Sequence, residues 1–511
     1  MIPSKPVWSP GEERVERANL SRFMRFVREE TGNADVNSYA PLYRFSVEQP
    51  DRFWTLLWDF CGIRGSGDRS CVIVDADRLP GARWFPNVSL NFAQNLLRFD
   101  DERVAIRFRT ANGDNLTTSY AQLQRQVAAL AAALRAQGIA PGDRIAALAP
   151  ACPDALIAML ATASIGAVWS ARAPTGDLDD ACRRLADLAP RLVFVADGAA
   201  GAGTLRALRA AVPGLATLVQ LSGVEATPIC EAATALADFV APFADAASDY
   251  TPVAFDHPLY LTEAGDERVV HGAGGTLIQH LKEWVLHVDL KREDKVLFHA
   301  GIDSMAWYWL ASSLAVGATI VLLADAELPA DGPRLWDRVD EFGITVLGVH
   351  SDWLNAAATA GGVPKDSHRL LPLKTILTAG GTLAPESYDF VYRDVKERVF
   401  LSPISTGGDT LACFAIGAPL LPVWRGELSC RGLGMKVEVL DAQGTPVVGE
   451  AGDLACTAPF PSLPLGFWND AGDARFQAAF FGKHPGRWCR GERAVLTARD
   501  GLIPMPGDPR R

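Results

Sequence analysis

The chain has 511 residues, 49% of them apolar and 21% charged, with 49 Lys+Arg against 60 Asp+Glu for a net charge of −11. That length supports more than one hydrophobic core, and the acidic balance argues against duplex nucleic acid or an anionic membrane surface as the main partner, since both reward a basic face. No apolar run approaches a membrane span, the N-terminus carries charges of both signs rather than a signal peptide, and nine dispersed cysteines without a C-x-x-C pair read as reduced thiols of a cytoplasmic protein, not a cysteine zinc cluster.

Residues 1–100 are rich in tryptophan and proline (Trp8, Trp54, Trp58, Trp84) and are expected to wrap a larger body, because such aromatics need a surface to bury against. Residues 120–137 carry apolar side chains at helical spacing, and Gly138 and Pro141-Gly142-Asp143 end that helix. The run 144–148 suits a buried parallel strand. An internal echo follows: Asp143-Arg144-Ile145 recurs 151 positions later as Asp294-Lys295-Val296, and Gly166-Ala167-Val168 recurs as Gly317-Ala318-Thr319. Each copy continues with an amphipathic helix (178–188 and 332–342) and a closing strand (191–195 and 345–349), by which point the offset is 154. A strand–helix alternation given twice predicts two doubly wound, mainly parallel α/β subdomains, at 101–250 and 251–415. After 415 short alternating runs and the turn Asp441-Ala442-Gln443-Gly444 predict a small antiparallel β-barrel over 416–511.

The order of segments resembles the acetoacetyl-CoA synthetases, of the adenylate-forming acyl-CoA synthetase superfamily. The resemblance spans nearly the whole chain and rests on residues 19–26 (NLSRFMRF), 155–169 (ALIAMLATASIGAVW), 422–435 (PVWRGELSCRGLGM) and 461–470 (PSLPLGFWND). It implies two α/β subdomains with a β-barrel, followed in the family by a small mobile C-terminal domain. It also implies a chemistry in which a β-keto acid is joined to ATP and then passed to coenzyme A. The hinge to the C-terminal domain would fall at 506–509, so that domain is expected to be absent.

Measured against the family pattern, the nucleotide parts look eroded. The family's Ser/Thr/Gly-rich phosphate loop is replaced between Tyr260 and His271 by a shorter segment holding Glu263, Asp266 and Glu267, which repel a polyanion. Arg268 is the one compensating charge in that segment. Within Ile404-Ser405-Thr406-Gly407-Gly408-Asp409, Asp409 falls on the metal-binding acid and Gly408 replaces a phosphate-holding threonine. The Gly380-Gly381-Thr382 turn matches the adenine strip, and Glu492 falls on the ribose-binding aspartate. ATP and magnesium are therefore expected to play no part, leaving coenzyme A or a pantetheine thioester as the candidate cofactor. The candidate partners are a small acyl substrate or an acyl group on a carrier protein.

The remaining chemistry is sought at strand ends, where doubly wound sheets bind ligands. His350 ends the strand 345–349, and His299 and Asp303 follow the strand 295–298; a histidine and a carboxylate in one crevice could act as a general-base pair. Met305, Trp307 and His350 are the candidate acyl pocket. The competing roles are a helix cap for Asp303, a half-buried structural histidine for His350, a turn histidine for His271, and plain core for the tryptophans. Three functions stay open: a non-adenylating enzyme that transfers, condenses or cyclises a β-keto-acyl thioester; a catalytically dead scaffold; and a conventional ATP-dependent synthetase in truncated form.

Overall fold

A computed structural model describes residues 5–174, 178–196, 208–210, 212, 215, 217–221, 233–324, 328–407 and 409–505. Gly408 and the hinge expected at 506–509 lie outside the described residues.

Two large mixed sheets dominate. The first has eight strands, in the order Thr234–Ala235, Thr217–Gln220, Leu192–Val195, Arg144–Leu148, Val168–Arg172, Pro258–Ala264, Glu267–Gly272 and Gly466–Phe467. Its first six are parallel and its last two join antiparallel. The second has seven: Phe400–Pro403, Thr375–Ala379, Val346–His350, Lys295–Phe298, Thr319–Leu323, Val104–Arg109 and Asn115–Ser119, parallel except for the last pair.

The sequence echo is a repeat in register. Arg144 pairs with Val168 as Lys295 pairs with Thr319, and Ile145 pairs with Leu192 as Val296 pairs with Val346. Near-continuous burial of these strands explains their uninterrupted apolar runs, since helices cover both faces of a parallel sheet. One such helix, Tyr120–Ala136, starts in a capping box in which the Ser119 hydroxyl accepts from the Gln122 N–H and the Gln122 side chain accepts from the Ser119 N–H.

The sheets do not follow the expected boundaries at 101–250 and 251–415. The hairpin 258–272 extends the first sheet, and Val104–Arg109 with Asn115–Ser119 extends the second. Each half thus lends an antiparallel hairpin to the other's sheet edge, an exchange that strand periodicity cannot reveal.

After residue 436 the strands Val437–Leu440, Ala451–Cys456, Trp488–Leu496 and Leu502–Pro504 form an antiparallel sheet that, among the described residues, is open rather than a closed barrel. The expectation of mostly strand there also misses the helix Ala474–Phe481, whose Phe476 and Phe480 pack on Trp488, the latter at 3.8 Å between ring centroids. The N-terminal helices lie against the segment 431–435: Tyr39 donates to the Arg431 carbonyl and Tyr43 to that of Met435. No helix among the described residues is long and apolar enough to cross a membrane.

Candidate active site

The C-terminal edge of the second sheet builds the site. The strand Thr375–Ala379 runs between Val346–His350 and Phe400–Pro403 and breaks into Gly380-Gly381, both at positive φ (72° and 116°). Only glycine takes these conformations without strain, so the chain turns sharply and leaves a bare backbone wall. Gly380, Gly381, Thr382, Tyr388, Ser405 and Glu492 line a cavity of about 200 Å³ between this edge and the four-stranded sheet. Tyr388 is buried and donates to the Glu427 carbonyl, and burial pushes its phenol above the ordinary range.

Glu492 reaches the cavity because its strand carries an irregularity. Asp453 pairs with Arg493 and Ala455 with Cys489, so four steps on one strand oppose two on the other. The bulge between them holds Arg490, Gly491 and Glu492, and Gly491 sits at φ 85°. Arg490 joins two acids: its Nε lies 2.8 Å from Asp409 Oδ2 and its Nη2 lies 3.3 Å from Glu492 Oε1. Of the expected nucleotide residues, Gly380, Gly381, Thr382 and Glu492 line this cavity, and Arg490 links Glu492 to Asp409. Sequence reasoning missed Arg490, which stood beside Glu492 in Arg490-Gly491-Glu492. It also missed Glu427, a 1%-exposed carboxylate ion-paired to Arg499, whose guanidinium stacks 4.0 Å over Trp424.

The general-base candidates have partners of their own. The His350 side chain is 55% exposed, and its Nδ1 accepts from the Asp352 N–H at 3.3 Å as the cap of the helix Ser351–Ala360. Asp303 Oδ2 instead accepts from the Ala173 N–H at 3.2 Å, which ties the loop of one sheet to the strand end of the other. The cap of the helix Met305–Ser312 is Ser304, not Asp303. His299 meets Gly348 through its backbone N–H at 3.2 Å. Trp307 is 1% exposed and belongs to the main core with the partly buried Met305, so neither they nor His350 line the glycine-walled cavity. His271 is buried and its Nε2 lies 2.8 Å from Thr262 Oγ1; burial drives its pKa down to about 3, which suits a neutral structural role.

The segment 261–270 is a tight hairpin. Glu263 pairs with Arg268 and Ala264 with Glu267 across a Gly265-Asp266 turn, so its amides serve the sheet ladder. The Glu263 carboxylate accepts from Arg172 Nη1 at 2.9 and 3.1 Å, and Arg184 bridges Asp180 and Asp266 beside it. The acids are therefore neutralised by arginines from neighbouring elements. The hairpin presents no open turn of amides and hydroxyls to a triphosphate, whereas the glycine wall and Glu492 fit a flat base and its sugar.

Comparison with known proteins first fixes the class: residues 92–262 match the model for AMP-binding enzymes, ending one residue before Glu263. The chain is 37% identical over 518 residues to an acetoacetyl-coenzyme A synthetase of Rhizobium meliloti (strain 1021), covering 98% of this chain and 79% of that protein. It is 34% identical over 524 residues to the acetoacetyl-CoA synthetase of Rattus norvegicus, covering 98% and 78%. A solved acetoacetyl-CoA synthetase from Streptomyces lividans superimposes with a TM-score of 0.92 at 31% identity, covering 98% of this chain and 80% of that one. The chain belongs to the acetoacetyl-CoA synthetase family. Membership corrects the expectation that ATP and magnesium play no part: a family of AMP-binding CoA synthetases works with ATP, magnesium and coenzyme A. That expectation rested on the altered loop at 261–270, on Gly408 and on a C-terminal domain expected to be absent, and family membership overturns it.

Proposed function

We propose that the protein is an ATP-dependent ligase that joins a short β-keto acid, acetoacetate first, to coenzyme A. The observation that carries this is the convergence of Gly380, Gly381, Thr382 and Glu492 on one cavity in a chain aligned with acetoacetyl-CoA synthetases over 98% of its length. The bare Gly380-Gly381 backbone supports a flat adenine, and the Glu492 carboxylate accepts hydrogen bonds from ribose hydroxyls. Asp409, which the family resemblance assigns to magnesium, would hold the metal, and Arg490 joins it to Glu492. Binding and orientation of the nucleoside are the work these residues do, and no role in proton transfer is assigned to His350 and Asp303.

The acyl group is the finer question, since a malonamoyl-CoA synthetase of Penicillium aethiopicum is also 30% identical over 549 residues, covering 98% of this chain and 74% of that protein. Incubation with ATP, magnesium, coenzyme A and one acid at a time, read as thioester by mass spectrometry, decides it. Acetoacetate should exceed malonamate and acetate. Preference for malonamate would reassign the substrate, and no thioester from any acid would overturn the ligase reading.

A further inference from the structure

Behind the bulge that presents Arg490 and Glu492 lies a cluster that the proposed chemistry does not use. Asp453, His484 and Cys489 are 5%, 6% and 4% exposed, and one ligand atom from each lies within 4.8 Å of the others. The strand register creates the meeting. Cys489 pairs with Ala455, and Asp453, two residues from Ala455, projects from the same face. His484 enters from the turn that follows the helix Ala474–Phe481, and its Nε2 lies 2.9 Å from Asp453 Oδ2. Lys483 Nζ also sits on this carboxylate, at 2.6 Å, but its side chain is 47% exposed.

The geometry points to a buried site for a thiophilic divalent cation of the zinc class, held by Asp453, His484 and Cys489. Carboxylate, imidazole and thiolate are the three ligand types zinc prefers, and three protein ligands leave a fourth position for water. With bonds of about 2.0–2.3 Å, tetrahedral ligand atoms lie roughly 3.3–3.8 Å apart, so the widest separations need to close by at most about 1.5 Å and the Asp453–His484 contact to open slightly. On binding, the Cys489 thiol releases its proton to solvent, His484 Nε2 turns its lone pair to the cation, and Asp453 exchanges the Lys483 ammonium for it. The ammonium withdraws to water along its exposed stem, and it holds the carboxylate in place until then. Asp453 and Cys489 belong to the strand pairings that flank the bulge, so a cation here pins the segment that carries Arg490 and Glu492.

Cobalt(II) tests the site directly. Titration into the chelator-treated full chain should give a thiolate-to-cobalt charge-transfer band and tetrahedral visible bands that saturate at one equivalent, and zinc should abolish both. Cys489→Ser, nearly the same size, should lose the charge-transfer band, and His484→Gln should weaken binding at least tenfold. Lys483→Met removes the competing ammonium and should tighten binding. Absence of the band in the unsubstituted chain would overturn the site without reference to any variant. So would its persistence in Cys489→Ser, or weaker binding by Lys483→Met.

Discussion

His350 lies across Gly380. The two adjoining strands pair His350 with Ala379, and a Cβ placed on Gly380 would fall 2.3 Å from His350 Nε2. Gly380 also sits at φ 72°, where an L side chain costs roughly 1–2 kcal/mol. Gly380→Ala should therefore lower nucleotide affinity at least tenfold, by AMP titration. Adding His350→Ala should restore part of the loss, because the imidazole is the obstacle the new methyl meets. Strictly additive losses would show that the imidazole is not that obstacle.

His350→Ala alone should be mild. The cap it provides is long, so the loss in stability should stay below about 1 kcal/mol. Turnover with acetoacetate should fall by far less than the roughly 100- to 10,000-fold that a general base supplies. A loss of that size at unchanged Tm would return His350 to the chemistry.

A third prediction concerns the core. Lys282 and Glu283 are fully buried and lie 3.4 Å apart; Glu283 Oε1 also accepts from Gln279 Nε2 at 2.8 Å and from the Cys413 N–H at 2.9 Å. Removing one partner of a buried ion pair strands the other, at a cost of about 3–5 kcal/mol. Glu283→Ala should lower the unfolding free energy measured in urea by that amount or fail to fold. A change under about 1 kcal/mol would contradict the role given to the pair.

Acid sensitivity follows from three histidines. Burial drives His271, His280 and His287 down to about 3, while in the unfolded chain they titrate near 6.5. Below about pH 6.5 the unfolded state binds protons that the folded state refuses, so the stability from these groups is fully present above that pH and is lost as pH falls towards 3. Each histidine contributes a slope of up to about 1.4 kcal/mol per pH unit. The urea midpoint should fall steadily from pH 7 to pH 5; a flat midpoint would show the imidazoles are accommodated when charged.

The parallel sheets were legible because their strands are buried on both faces, and the repeat at Arg144 and Lys295 survives as a repeat of strand register. The exchanged hairpins were not, because 258–272 and 104–119 read alike in either sheet. Gly380, Gly381, Thr382, Asp409 and Glu492 were singled out by the family resemblance, and all of them but Asp409 line the glycine-walled cavity. Arg490 was not, since an arginine beside a glycine carries no sign that a bulge will aim it at two acids. The acids at 263–267 misled the reading, because their partners Arg172, Arg184 and Arg475 are distant in sequence and meet them only in the fold.

The proposed ligase activates its acyl group with ATP. The most direct measurement is exchange of labelled pyrophosphate into ATP, run with the unmodified chain, magnesium and acetoacetate. Exchange should depend on acetoacetate and fall when Glu492 is replaced by Ala. Absence of exchange from a folded chain that still binds AMP would contradict it.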